Sequence, residues 1–222
     1  DLAGLSVLVT AGPTQERLDP VRFITNRSSG KMGYAIAAAA AARGASVTLV
    51  TGPTSLPIPQ GVNAVRILST QELYDQMLAL CPKMDVVIQA AAPADFTPET
   101  VADQKIKKQG NEPLVIRLTQ TPDVAAAVGK TKKEGQTLVG FAAETNDVLQ
   151  NAQKKLAKKN LDLIVANDVT APGAGFDVDT NIVTFVTQDG LEKLPKMKKA
   201  EVADALLDRI LRAREGKRQI SK

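Results

Sequence analysis

Short apolar runs of strand length alternate with helix-period segments along most of this chain, and that alternation limits the fold more than any other feature. Leu5–Thr10, Val47–Thr51, Asp85–Gln89, Thr137–Phe141 and Leu161–Ala166 read as buried strands. Helical spacing covers about 32–43, with Gly44 as its stop, then a segment capped by Thr70, one opened by Pro122, and 147–159. Strands joined through helices lie parallel, so the expectation is an α/β fold: a Rossmann-like, mainly parallel sheet with helices on both faces. Short strands are expected near Val65–Leu68 and Leu114–Leu118. Near the end the period drops to two around Asp189-Gly190, which predicts a C-terminal β-hairpin extension over 181–197. A last helix spans about 199–214. No repeat or low-complexity linker divides residues 1–222, so one domain is expected, with a mobile basic flap at 97–112.

Composition removes whole classes of chemistry. The chain has no histidine, which excludes Ser-His and Cys-His nucleophile pairs and His-based zinc sites. Catalysis must then rest on Lys, Arg, Asp, Glu, Asn and backbone groups, which favours holding and neutralising charge. Cys81 is the single cysteine, so no internal disulfide forms and a cytoplasmic setting is expected. At the end of an amphipathic helix it reads as buried packing. A net charge of +4 with 3% aromatic residues argues against single-stranded nucleic acid and for a small anionic ligand or a solvated surface. No apolar run reaches the roughly 18 residues of a membrane span. No signal peptide is seen and the chain opens on Asp1, which reads as a piece of something longer.

Several stretches could carry chemistry. Gly30 and Gly33 open the first helix, where free amides favour anions; the alternative is that they let helix and sheet pack. Lys31 lacks the Ser or Thr that a P-loop places after it, since Met32 follows. Residues 89–96, QAAAPADF, leave a strand's carboxyl end. Their small side chains leave room for a flat ring read by backbone N–H and C=O, with Asp95 free for ribose hydroxyls or a metal's water shell. The basic run Lys105, Lys107, Lys108 could close over phosphates or be solvated. Thr121 reads as the cap of the helix opened by Pro122, whose start is an anion site or simple capping. Lys155 with Lys159, and Lys154 with Lys158, each share a helix face, and spacing does not choose between the pairs. A nicotinamide-dependent short-chain reductase needs Tyr with Lys four residues on. Tyr34 and Tyr74 are followed there by Ala38 and Leu78, so that chemistry is missing.

Six motifs in order, TAGPT (10–14), DPVRFITNRSSGKMG (19–33), AAAPADF (90–96), KIKK (105–108), TPDV (121–124) and GFAAETN (140–146), resemble phosphopantothenoylcysteine synthetase. In bacteria that enzyme is commonly the C-terminal half of a bifunctional coenzyme A biosynthesis protein. The resemblance implies CTP-dependent ligation of 4′-phosphopantothenate with L-cysteine, through an acyl-cytidylate, giving CMP and pyrophosphate. It implies cytidine-nucleotide contacts at Gln89, Ala90, Ala91, Asp95, Pro122, Asp123, Val124, Ala125, Phe141, Lys155 and Lys159. Lys105 would serve the phosphates and the intermediate, and Asn26 would handle the acyl-cytidylate beside Arg22, Ser28, Ser29 and Gly30. Arg27 departs from the histidine that some members carry after that asparagine. The resemblance also implies Mg2+, a homodimer with the 181–197 hairpin as a candidate interface, and FMN only on a separate decarboxylase domain. The rival readings are an NAD(P)-binding oxidoreductase and a non-catalytic nucleotide-binding domain.

Overall fold

The computed structural model describes residues 1–108, 110–144, 148–168 and 178–220. Strand β1 (Ser6–Ala11) leads through an antiparallel pair, β2 (Gln15–Arg17) and β3 (Phe23–Thr25), to α1 (Lys31–Ala42), β4 (Ser46–Thr51) and β5 (Val62–Arg66). Helix α2 (Thr70–Leu80), a 3-10 turn at Cys81–Lys83 and β6 (Val86–Gln89) follow. A second antiparallel pair, β7 (Phe96–Pro98) and β8 (Leu118–Gln120), precedes α3 (Val124–Lys130), β9 (Thr137–Glu144), α4 (Val148–Lys158) and β10 (Leu163–Asp168). The chain closes with β11 (Thr180–Asn181), β12 (Val183–Val186), β13 (Leu191–Lys193), β14 (Met197–Lys198) and α5 (Lys199–Ile220).

The main sheet runs β13-β12-β10-β9-β6-β1-β4-β5. The strands from β10 to β5 are parallel. Counted in chain order they lie 3-2-1-4-5-6, the order of a doubly wound nucleotide-binding sheet. The expected C-terminal hairpin is present and continues this sheet, β12 pairing antiparallel with β10 and β13 with β12.

Alternation along the strands sorts the core into two layers. Val7, Val9, Val47, Leu49, Val86, Ile88 and Val165 face α1 and α5, packing with Ile36, Ala40, Leu206 and Ile210. Leu8, Val87, Leu138 and Ile164 face α2, α3 and α4, packing with Met77, Val128 and Leu156. Helices therefore cover both faces, as the alternation demands. No helix among the described residues is long and apolar enough to cross a membrane.

Local signals were shifted in several places. The α2 cap is Ser69, not Thr70: Ser69 Oγ accepts the Glu72 amide at 3.1 Å, and Glu72 Oε2 accepts the Leu68 amide at 2.7 Å. The first bond caps an orphan amide of the helix and the second ties down the residue before the cap, which leaves Thr70 buried as the first helical residue. The strand expected at Leu114–Leu118 begins where that range ends, because pairing with β7 sets Gln120 opposite Phe96. The strand expected near Val65–Leu68 lies earlier, at Val62–Arg66, alongside β4. The long loop before Gly30 holds the β2–β3 pair, turned by Asp19, whose Oδ1 accepts the amides of Val21 and Arg22, each at 2.8 Å.

Candidate functional site

Strand register brings four carboxyl ends into one rim: Thr10 pairs with Gln89, Gln89 with Gly140, and Gly140 with Ile164. The strand order reverses between β1 and β6, the place where such sheets bind ligands. Two cavities of about 360 Å³ each open there, and they share Ala91 and Phe141 as a common wall.

The first cavity gathers Gln89, Ala91, Asp95, Pro122, Asp123, Val124, Ala125, Phe141, Lys155 and Lys159. Asp95 stands exposed on its rim. Gln89 Nε2 is buried with no hydrogen-bond partner among the described residues, a donor left over beside the cavity. The loop above it departs from expectation. The amides of Ala91, Ala92 and Ala94 donate to Thr10 Oγ1 (3.0 Å), Gly12 O (2.9 Å) and Thr14 Oγ1 (2.9 Å), and Pro93 has none. Those N–H groups are turned into the protein, so a ring edge placed here meets carbonyls and side chains.

The start of α3 also differs. Asp123, not Thr121, is the cap, its Oδ1 accepting the Ala126 amide at 3.0 Å. Thr121 instead donates its hydroxyl to Ala94 O at 2.6 Å. Of the two readings of this helix start, anion site or simple capping, the structure shows a side-chain cap, made by the Asp123 carboxylate. Lys159 Nζ donates to Asp123 Oδ1 at 3.0 Å. Burial alone raises the Asp123 pKa, but the Ala126 amide and the Lys159 ammonium outweigh it and bring it below the usual value. Lys155 and Lys159 line the cavity, whereas Lys154 and Lys158 are exposed and line neither cavity.

The second cavity gathers Asn26, Ser28, Ser29, Gly30 and Ala90. Asn26 Nδ2 donates to Pro93 O at 2.8 Å, joining this loop to the loop over the first cavity. The two glycines divide the two readings between them. Gly30 lines the cavity as the α1 cap with φ 77°, and among the described residues no side-chain hydrogen bond caps this helix, whose start carries the positive end of the helix dipole. Gly33 is for packing, since a Cβ there would lie 2.6 Å from Ala11 Cβ and 2.8 Å from Thr10 O.

Three residues of this cavity had no signal of their own: Asn167, Asn181 and Lys199. Lys199 is 6% exposed and donates to Val178 O. It sits at the first residue of α5, where the helix dipole disfavours a cation, so an anion beside it is welcome. Asn167 is 9% exposed, with Oδ1 buried and without a hydrogen-bond partner among the described residues. Its place near the carboxyl end of β10 was the one available clue.

Arg22 and Lys105 line neither cavity. Arg22 Nε donates to Asp19 Oδ2 at 2.9 Å and its Nη2 to Ile106 O at 2.8 Å. The Ile106 amide reaches Asp19 Oδ2 at 3.1 Å, and the Ala102 amide reaches Leu18 O at 3.0 Å. The flap is thus fastened to the β2–β3 turn next to exposed Lys105. The Arg22 guanidinium, with the amides of Val21, Ile106 and Arg22, outweighs burial and holds the Asp19 carboxyl far below the usual range. Gln109, Thr145, Asn146 and Asp147 lie outside the described residues. Cys81 is buried, which pushes its thiol up to about 12 and suits packing, not nucleophilic attack.

A family model described as "DNA/pantothenate metabolism flavoprotein C-terminal domain" matches residues 2–213. The Coenzyme A biosynthesis bifunctional protein CoaBC of Bacillus subtilis (strain 168) is 51% identical over 94% of this chain and 52% of its own length. The protein of that name from Escherichia coli (strain K12) is 48% identical over 95% of this chain and 52% of its own. The chain therefore spans about half the length of these curated relatives. A crystal structure of the C-terminal domain of CoaBC is 43% identical, with a TM-score of 0.83, covering 97% of this chain and 98% of that one. With nearly its whole length matched, the chain belongs to the DNA/pantothenate metabolism flavoprotein C-terminal domain family.

Proposed function

We propose that this chain is a C–N bond-forming ligase of coenzyme A biosynthesis, joining 4′-phosphopantothenate to L-cysteine at the expense of CTP. The observation that carries the reading is the pair of cavities meeting at Ala91 and Phe141. One has the small-residue floor, Asp95 and lysine pair suited to a nucleotide. The other has the α1 start at Gly30, with Lys31 and buried Lys199 beside it, a positive setting suited to the phosphate of phosphopantothenate. The substrate carboxylate attacks the α-phosphorus, the bond to pyrophosphate breaks, and an acyl-cytidylate results. The cysteine amine then attacks the acyl carbon, loses a proton to solvent, and CMP leaves with the electron pair. Neither step calls for imidazole, because positioning and charge neutralisation supply the rate.

Asn26, between the two loops, is placed to hold the intermediate. Lys105 reaches the phosphates from the flap. Among the described residues no cluster of three or more His, Cys, Asp or Glu could cage a metal. Mg2+ would accordingly be held through the nucleotide phosphates with Asp95 as the nearby carboxylate. We further propose a cytoplasmic setting and, since the chain spans about half of relatives named bifunctional, a second catalytic region elsewhere in the full protein, a flavin-dependent decarboxylase. For the homodimer we favour a different surface from the expected hairpin, whose β13 is exposed and mostly charged. Val21, Phe23, Phe96, Val101, Leu114, Val115, Ile116 and Leu118 are all exposed large apolar residues, and the β2–β3 and β7–β8 pairs carry several of them. Burying such a face against a second copy is favourable. Phe96→Glu should shift the protein to monomer in light scattering; an unchanged mass would remove this interface.

The oxidoreductase reading gains nothing, since the Tyr34 hydroxyl is held by Thr51 at 3.2 Å and Thr54 at 2.9 Å. Pyrophosphate release from each of the four nucleoside triphosphates tests the function. It should require phosphopantothenate and prefer CTP. Nucleotide binding without pyrophosphate release would leave a non-catalytic domain.

A further inference from the structure

The TAGPT stretch and the buried start of α2 have no role in the chemistry above, yet they meet under the first cavity. Thr14 is fully buried and Thr70 is 1% exposed. Thr14 Oγ1 accepts the Ala94 amide at 2.9 Å and lies 2.9 Å from Thr70 Oγ1. Thr70 Oγ1 lies 2.8 Å from Glu16 Oε1, and the same carboxylate oxygen accepts the Thr70 amide at 2.9 Å. Glu16 is itself buried.

Each hydroxyl has one proton to give, and an ionised carboxylate only accepts. Of the two acceptors in reach of the Thr70 hydroxyl, Glu16 Oε1 at 2.8 Å takes its proton in preference to Ala94 O at 3.3 Å. The Thr14 proton goes to Thr70, and a lone pair on Thr14 remains for Ala94 N–H. The chain of bonds has one direction, set by the carboxylate, and such chains reinforce one another in a low dielectric. On its other side Ala94 O accepts the Thr121 hydroxyl at 2.6 Å, and the Thr121 amide donates to Asp95 O at 3.0 Å. The peptide groups around Ala94 are thereby fixed by the exit of β1, the start of α2 and the segment before α3.

We propose that Thr14, Thr70 and Glu16 are positioning residues for the nucleotide cavity. Their relay sets loop 90–95, and with it the place of Asp95 relative to residues 121–125. The identity of the bound nucleotide rests on the functional reading above; the relay does not.

Thr14→Val keeps the shape and removes the hydroxyl, leaving the buried Ala94 amide without an acceptor. It should raise the CTP Kd by calorimetry and the CTP KM roughly 10-fold, with kcat within about 3-fold of wild type. In the unliganded protein the amides of residues 91–95 should exchange with deuterium faster. Thr14→Ser should restore affinity to within about 2-fold, and Glu16→Gln should fall between. Wild-type affinity and exchange in Thr14→Val would overturn the proposal, and so would a loss of affinity that serine does not restore. If Thr14→Val does not fold, Glu16→Gln decides: unchanged affinity and exchange refute the relay. If the wild-type protein takes up no CTP, the functional reading fails, and exchange at Ala94 still decides the relay.

Discussion

The two segments that the proposed function calls on are fastened in different ways. Loop 90–95 hangs from buried partners, with its amides answered by Thr10, Gly12 and Thr14. The flap around Lys105 rests on the outside of the β2–β3 turn, through Asp19, Arg22 and the Leu18 carbonyl. The first arrangement costs several buried hydrogen bonds to move and belongs to the folded core. The second is three hydrogen bonds, from the Ile106 amide to Asp19, from Arg22 to the Ile106 carbonyl and from the Ala102 amide to the Leu18 carbonyl, with Arg22 partly exposed. A preformed nucleotide wall and a lysine on a detachable arm is the division of labour these fastenings suggest, since lids must open for product release.

Five substitutions, in four tests, break or sharpen that contrast. The largest effect should come from the arm: Lys105→Gln should lower kcat about 10³-fold in pyrophosphate release, with thermal unfolding unchanged. Near-normal turnover would take Lys105 out of the reaction. Next is Asn26→Asp, where an added negative charge beside the intermediate should slow product formation about 10²-fold, by quenched-flow assay. Product at the wild-type rate would contradict the placement of Asn26 between the cavities.

Asp19→Asn tests the fastening itself and should lower kcat roughly 10-fold while leaving the CTP Kd near wild type. Its pH dependence has a definite sign. The folded-state pKa of Asp19 is depressed, so its contribution is present above an unfolded carboxylate's value of about 3.9 and fades as pH falls through the folded value. The gap in melting temperature between wild type and Asp19→Asn should therefore persist across neutral pH and close only in strong acid. A gap that closed near neutrality would point to another group. The smallest effect separates the lysine faces: Lys159→Ala should weaken CTP binding roughly 3-fold, and Lys158→Ala should not. Equal losses would mean that the cavity does not distinguish the pairs.

Much of this was legible in the residues because it is local or periodic. Short apolar runs in β1, β4 and β6 announced their strands, and successive residues of those runs supply the two layers of the core. What failed was settled by contacts distant in sequence. Thr121 and Asp123 are both good cap types two positions apart, and Pro122 favoured the former. The choice went to Asp123 because the Thr121 hydroxyl is used by Ala94, 27 residues earlier. Likewise the two lysine pairs of α4 are identical in spacing, and only the position of β10 and α3 tells inside from outside. Asn167 and Lys199 come from opposite ends of the β10–α5 stretch, so no local pattern could join them. Resemblance supplied Lys105 and Arg22, and the structure adds the Asp19 anchor that spacing alone did not reveal.

The central claim is that nucleotide and phosphopantothenate occupy separate cavities and meet at the wall of Ala91 and Phe141. A crystal structure with a non-hydrolysable CTP analogue and 4′-phosphopantothenate together tests it directly. The account predicts the cytosine against residues 89–95 and 122–125, and the phosphopantothenate phosphate against residues 28–30 and Lys199. A nucleotide seated in the 26–33 cavity, or both molecules in one cavity, would contradict it.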